Sequence, residues 1–449
     1  MAMREKWLRQ MASLVLGTGF LLAVSVAQAG AALDAVHEKG KVYLAAAASL
    51  AAYNDRLGML VNEALQEEGW EITKYKHSTA SADARFIVLK NLNADSWEPT
   101  YTLAVAGTEN TKDIKTDMKL GKVWFTGATQ AEFNAAGAAT NVPDDKPKVH
   151  KGFYQYVQTA IDAGEDGHPI YKALMSDPSQ RLLITGHSLG GAVATLGGAR
   201  LLLAGVNPAQ VEVLTFGAPA VGNAAFKQET EGKLALERVV LDGDPVPGLV
   251  QKFGGGYAQF GKEVRWQEEN YMHQKPHSMA VYMDVAMKDY YRALQEAEKA
   301  GEIVTPRQSE GEGPKAYVVP ASFKLPQEME GEQPFMQQVM ERQYRRALKG
   351  YVLADAAAAT PKGDLEAAKQ AGCQWLVRTE VQVTRLRQEV NGHVISLNQT
   401  VYRVADGRLA ATSDYQSSTR ELTPLVVIMH LTRNFAKDGV RWLDMPQKG

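Results

Sequence analysis

The sequence predicts an α/β protein in which a mostly parallel central sheet is followed by a smaller α/β unit. Three observations predict it. Short apolar runs suited to buried strands, residues 182–185, 211–216 and 238–241, alternate with segments of helical spacing. A polar, glycine-containing stretch at 301–314 interrupts that pattern and reads as a linker. Beyond it, strand and helix patterns resume over residues 315–449, an ordinary domain length.

Residues 1–9 carry positive charge, residues 11–26 are mainly apolar, and Ala27-Gln28-Ala29 sets small side chains where a signal peptidase reads them. This is the pattern of a cleavable secretory signal at 1–29, which implies a periplasmic or extracellular protein. The apolar run is also near bilayer-spanning length, so an uncleaved anchor is the other reading. Residues 42–68 show two helical stretches broken near Asn54-Asp55, with Gly69 as a carboxyl cap. Strands are expected at 70–75, 85–89 and 100–105, before a Gly107-Thr108 turn, and the last helix of this 30–300 unit at 277–300. After the linker the pattern predicts strands at 316–319, 351–354, 374–383, 394–404 and 408–415. Helices are expected at 335–348, 364–371 and 422–435, and Asp406-Gly407 turns the last hairpin.

The formal charge is −2; residues 1–29 carry +2, so the mature chain would hold −4, with no basic stripe to engage nucleic acid. Cys373 is the single cysteine, so no disulfide can form within the chain. Its neighbours Ala371, Gly372, Trp375 and Leu376 mark it as a small core residue.

The chemistry concentrates at Gly186-His187-Ser188-Leu189-Gly190. A G-x-S-x-G pentapeptide indicates a nucleophile when it joins a strand to a helix, and here it does: Leu182, Leu183 and Ile184 precede it, and Ala192, Ala194, Leu196, Ala199 and Leu202 follow at helical spacing. A serine hydroxyl needs a base to take its proton and a carboxylate to fix the tautomer of that base. The order expected in G-x-S-x-G hydrolases is serine, acid, histidine. Asp244 closes the strand LERVV in a loop stiffened by Pro245 and Pro247, with Asp242 as its rival. His273 and His277 both stand downstream, and Pro276 favours His277 by starting a helix there. The two histidines, four apart, are also a metal-ligand spacing, but Pro276 breaks their shared helical face, so no metal or other cofactor is implied. His187 is expected to point to the opposite side of the elbow as a structural residue.

The chain resembles the class 3 lipases over about residues 42–291. The matching pieces are AVAGT at 104–108, VHKGFYQYV at 149–157, GHSLGGA at 186–192, TFGAPAVGN at 215–223, DPVP at 244–247 and HSMAVY at 277–282. The resemblance implies an α/β-hydrolase domain with Ser188 as nucleophile, Asp244 as orienting acid, His277 as base, and Thr108 with Leu189 as oxyanion-hole residues. Ala106 stands where the family usually has arginine. The lid-like segment 110–120, NTKDIKTDMKL, offers only Ile114, Met118 and Leu120 as apolar groups, so weak activation by a lipid interface is expected. Residues 123–138 are the alternative lid. The second unit weakly resembles the amino-terminal domain of TolB and similar envelope domains, which implies nothing about chemistry.

The expected activity is hydrolysis of acylglycerols or related lipid esters through an acyl-enzyme, without a cofactor, with at most transient contact with a lipid interface. A phospholipase A1 or a short-chain carboxylesterase shares the same residues. An envelope binding or assembly protein with an inactive hydrolase-like domain is the reading of another class.

Overall fold

The computed structural model describes residues 30–53, 56–78, 83–93, 97–107, 121–160, 169–249, 256–267, 276–310, 315–387, 389 and 392–443. The expected signal at 1–29, Thr108, the segment 110–120 and His273 lie outside the described residues.

Two helices open the described chain, α1 (Ala31–Ala51) and α2 (Arg56–Glu67), and Gly69 at φ 92° ends the second. The alanine-rich second half of α1 is buried from Leu44 to Ala51, and its small side chains let the helix lie directly on the sheet. Strands β1 (Trp70–Ser78), β2 (Asp83–Asn91) and β3 (Tyr101–Val105) follow. A two-stranded ribbon of β4 (Lys122–Trp124) and β5 (Lys148–His150) flanks α3 (Gln130–Ala138). Next come α4 (Lys151–Ala160), α5 (Pro169–Ser176), β6 (Leu182–His187), α6 (Leu189–Leu203) and β7 (Val211–Phe216). The unit closes with α7 (Ala224–Thr230), β8 (Ala235–Leu241), β9 (Lys262–Trp266) and α8 (Met279–Lys299).

The sheet order is β1-β2-β3-β6-β7-β8-β9, antiparallel through β3 and parallel from β3 onward. Period-2 alternation splits its side chains between two cores, as a sheet covered on both faces requires. Ala104, Leu183, Leu214 and Val239 join the core containing α1 and α8 residues. Leu103, Ile184 and Val213 join Phe153, Val157, Val193 and Leu196 of α4 and α6 on the other face. This is the α/β-hydrolase architecture expected, with a mostly parallel central sheet. The short edge strand β9 carried too little apolar pattern to be predicted.

The second sheet contains β10 (Ala316–Val318), β11 (Ser322–Lys324), β12 (Tyr351–Leu353), β13 (Trp375–Arg385), β14 (His393–Arg403) and β15 (Leu409–Thr419). It is ordered β12-β10-β13-β14-β15, with β11 also on β13. Helices α9 (Gln333–Ala347) and α11 (Pro424–Leu443) cover one face, and α10 (Pro361–Gln370) lies between β12 and β13 in the chain. Cys373 is buried beside Ala354, Ala368 and Leu376. The segment expected as a free linker is tied down in part: Leu353 N donates to Arg307 O at 2.7 Å and Ser309 N to Tyr351 O at 3.0 Å, so 307–309 run along β12.

Helices α9 and α11 share one apolar core with α1, α2 and α8, where Met336, Val339, Met340, Leu425 and Val426 join Leu44, Val61 and Met283. Ion pairs ring this junction. Arg433 reaches Glu63 at 2.7 Å and Glu67 at 2.8 Å, Glu68 accepts from Arg342 and Arg346, and buried Lys288 on α8 lies between Asp284 and Glu332. No helix among the described residues is long and apolar enough to cross a membrane.

Candidate active site

Strand β6 ends at His187 and α6 begins at Leu189, leaving Ser188 alone in the turn at φ 57°, ψ −125°. A positive φ on an L-residue costs energy that only a rigid surrounding structure sustains, and such residues gather at functional sites. The glycines explain how the turn closes. A Cβ on Gly186 would stand 2.4 Å from the Gly190 carbonyl, and one on Gly190 would stand 2.3 Å from the Val105 carbonyl oxygen. Ser188 N donates to Phe216 O at 2.9 Å, pinning the elbow to the end of β7.

His277 sits one residue before Ser278, the N-cap of α8, and Pro276 presets the chain entering the helix. Its Nε2 is 2.9 Å from Ser188 Oγ, and its Nδ1 is 2.9 Å from both carboxylate oxygens of Asp244. Asp244 leaves β8 through a turn in which its N–H donates to Leu241 O at 3.1 Å. The carboxylate is fully buried, while the His277 side chain keeps 13% exposure toward the site. A buried carboxylate needs donors. Besides His277, Asp244 Oδ1 accepts from Val246 N at 2.9 Å and Oδ2 from the Tyr282 hydroxyl at 2.7 Å. Burial, then the Asp244 charge, push the Tyr282 phenol well above its ordinary range, so it remains a donor. Tyr282 Oη in turn accepts from Leu241 N at 3.0 Å. With Asp244 only accepting, His277 carries its proton on Nδ1 and presents a bare Nε2 to the serine.

The fold thus brings together Ser188, Asp244 and His277 from three separate stretches of chain. Leu189 opens α6, whose first turn presents N–H groups beside Ser188. Asp242 faces away, exposed, and pairs with Arg265 at 3.4 Å. Thr108 and His273 lie outside the described residues.

One expectation is corrected. The His187 ring is on the same side of the elbow as His277, 4.5 Å from its ring between centroids, because His187 is the last residue of β6, at the strand end that the His277 ring also meets. Its Nδ1 is 2.7 Å from the hydroxyl of Tyr53, which carries no motif signal in the sequence. No periodic signal connects Tyr53 to His187 across 134 positions.

The alternative lid at 123–138 is built into the core. Phe133 is fully buried, Phe125 packs edge-on against Phe133 and Phe226, and Arg200 Nη1 donates to Gly127 O and Ala128 O. His150, His393 and His430 are buried elsewhere, and burial raises the Cys373 thiol to about 11. Among the described residues, no group of His, Cys, Asp and Glu is arranged to hold a metal.

The family model described as "Lipase (class 3)" matches residues 102–253. A lipase of Rhizopus niveus is 29% identical over 203 residues, covering 41% of this chain and 51% of the relative. The chloroplastic phospholipase A(1) DAD1 of Arabidopsis thaliana is 28% identical over 222 residues, covering 43% and 49%. Among solved structures, lipase II from Rhizopus niveus is similar at 23% identity and a TM-score of 0.39, covering 52% of this chain and 81% of that one. The chain spans about half the length of the curated relatives it matches.

Proposed function

We propose that the protein, whose residues 102–253 match the class 3 lipase family model, is an exported serine hydrolase that cleaves carboxylic esters of acylglycerols or related lipids. The observation that carries this reading is the unbroken hydrogen-bond relay from Ser188 Oγ through His277 to Asp244, with both links at 2.9 Å.

Ser188 Oγ attacks the ester carbonyl carbon while His277 Nε2 accepts the hydroxyl proton. Asp244 stabilises the imidazolium and holds the ring by its Nδ1–H. The developing oxyanion is met by the Leu189 N–H at the start of α6, and the resemblance implies Thr108, after β3, as the second donor. His277 then returns the proton to the departing alcohol, leaving an acyl group on Ser188. A water molecule, deprotonated by His277, releases the acid and restores the serine. Lipid esters are favoured as substrates because both the lipase and the phospholipase A(1) among the relatives are named for them.

A fluorophosphonate probe tests the reading. It is expected to label the wild-type protein and not Ser188→Ala, which should lose about a thousandfold or more in ester hydrolysis. Nitrophenyl esters of increasing chain length, followed by product analysis on triacylglycerol and phosphatidylcholine, separate lipase, phospholipase A1 and short-chain esterase. A folded wild-type protein that neither takes the label nor hydrolyses any of these would point instead to an envelope binding protein.

A further inference from the structure

Tyr53 and His187 form a chain of contacts to the proposed base: Tyr53 meets His187, and His187 meets His277. Tyr53 follows the last turn of α1, closed by Tyr53 N donating to Leu50 O at 3.2 Å, and α1 is itself tied to β6 by Ser49 Oγ and Thr185 Oγ1 at 3.0 Å. The Tyr53 hydroxyl therefore approaches His187 Nδ1 from a helix held on the same strand that carries His187. The same hydroxyl borders the turn after β3: a Cβ on Gly107 would stand 2.4 Å from Tyr53 Oη and 2.7 Å from His187 O.

The His187 ring is buried and tilted 38° to that of His277. The groups around it are Tyr53 from the segment after α1, His277, and Tyr282 from α8 at 5.8 Å between centroids; the Asp244 carboxylate lies across His277. Burial, reinforced by His277, holds His187 well below the ordinary histidine range, so it is neutral and does not oppose charge on its neighbour.

We propose that Tyr53 and His187 form a positioning pair for His277. The Tyr53 ring, 6.2 Å from that of His187 between centroids, packs the His187 ring in place, and the neutral face of that ring confines the His277 imidazole to the line between Asp244 and Ser188. Hydrogen bonds at Nδ1 and Nε2, with the Cβ tether, leave the imidazole small χ1 and χ2 excursions, and a ring packed against its face restrains them. The inference rests on the serine-hydrolase reading above.

The test measures kcat and KM on a soluble nitrophenyl ester for wild type, His187→Ala and the double variant Tyr53→Phe/His187→Phe, with melting curves for each. The double variant keeps two rings of similar shape and removes both hydrogen-bonding partners together, which leaves no orphaned polar atom between them. His187→Ala should lower kcat by about tenfold to a hundredfold, the scale of a misaligned catalytic group, with KM changed by less than about twofold. The double variant should restore kcat to within about threefold of wild type. Wild-type kcat in His187→Ala, or a double variant as slow as His187→Ala, would overturn the pairing. If His187→Ala does not fold, the double variant alone decides, since a folded but slow protein overturns the proposal. Failure of wild type to take the fluorophosphonate label would instead remove the serine-hydrolase reading.

Discussion

Gly217 and Asp244 are fitted so closely that a Cβ on Gly217 would stand 2.5 Å from Asp244 Oδ2. The same Cβ would lie 3.0 Å from the Tyr282 hydroxyl and 3.2 Å from His277 Nδ1, and Gly217 adopts φ 56°, where other L-residues are strained. Gly217→Ala should therefore displace the carboxylate from the imidazole. Expected is a loss of about a hundredfold in kcat/KM with a stability cost of about 1–3 kcal/mol. Steady-state kinetics beside a melting curve checks it, and near-wild-type turnover would show that the relay tolerates the shift.

The two aspartates of the DGD turn should separate cleanly. Asp244→Asn keeps the shape of a fully buried side chain while removing its charge, and should impair hydrolysis severely. Asp242→Asn loses an exposed ion pair with Arg265, worth little, and should retain most activity. Equal losses in the two variants would place the orienting acid elsewhere.

Cutting the chain within 301–310 keeps Ser188, Asp244 and His277 on one fragment but strips α9 and α11 from α1, α2 and α8. Exposing that shared apolar face should make the fragment aggregate or melt earlier, while its soluble fraction still hydrolyses soluble esters per titrated serine. A fragment with the melting temperature of the whole protein would show that the junction contributes nothing to stability.

Acid should loosen that junction. His430 on α11 is buried, and burial, followed by the Arg433 charge, lowers it to about 4. Between the unfolded value of about 6.5 and that folded value, the unfolded chain binds a proton that the native chain refuses. The contribution is whole above about pH 6.5 and is lost as pH falls through that window, by roughly 3 kcal/mol at most. His430→Met should flatten the fall in stability between pH 7 and pH 4, measured by urea unfolding; an unchanged slope would assign it to other groups.

The sequence by itself determined whatever depends on near neighbours in the chain. Leu182 to Ile184, the paired glycines and the helical spacing after Ser188 specify a strand, a turn and a helix within about two dozen residues. Pro245 and Pro276 mark the segments that carry Asp244 and His277. The order of elements in the second unit, apart from the three-residue β11, was legible for the same reason, since β13, β14 and β15 alternate with period 2 and α9 and α11 repeat near 3.6. Tertiary structure alone decided which side of the elbow His187 faces, that Tyr53 reaches it, that Gly217 makes room for Asp244, and that α9 and α11 share a core with α1 and α8. None of these leaves a periodic trace, because each is a contact between faces of elements far apart in the chain. Such contacts are set by how the sheet twists and the helices seat on it, which local spacing does not encode.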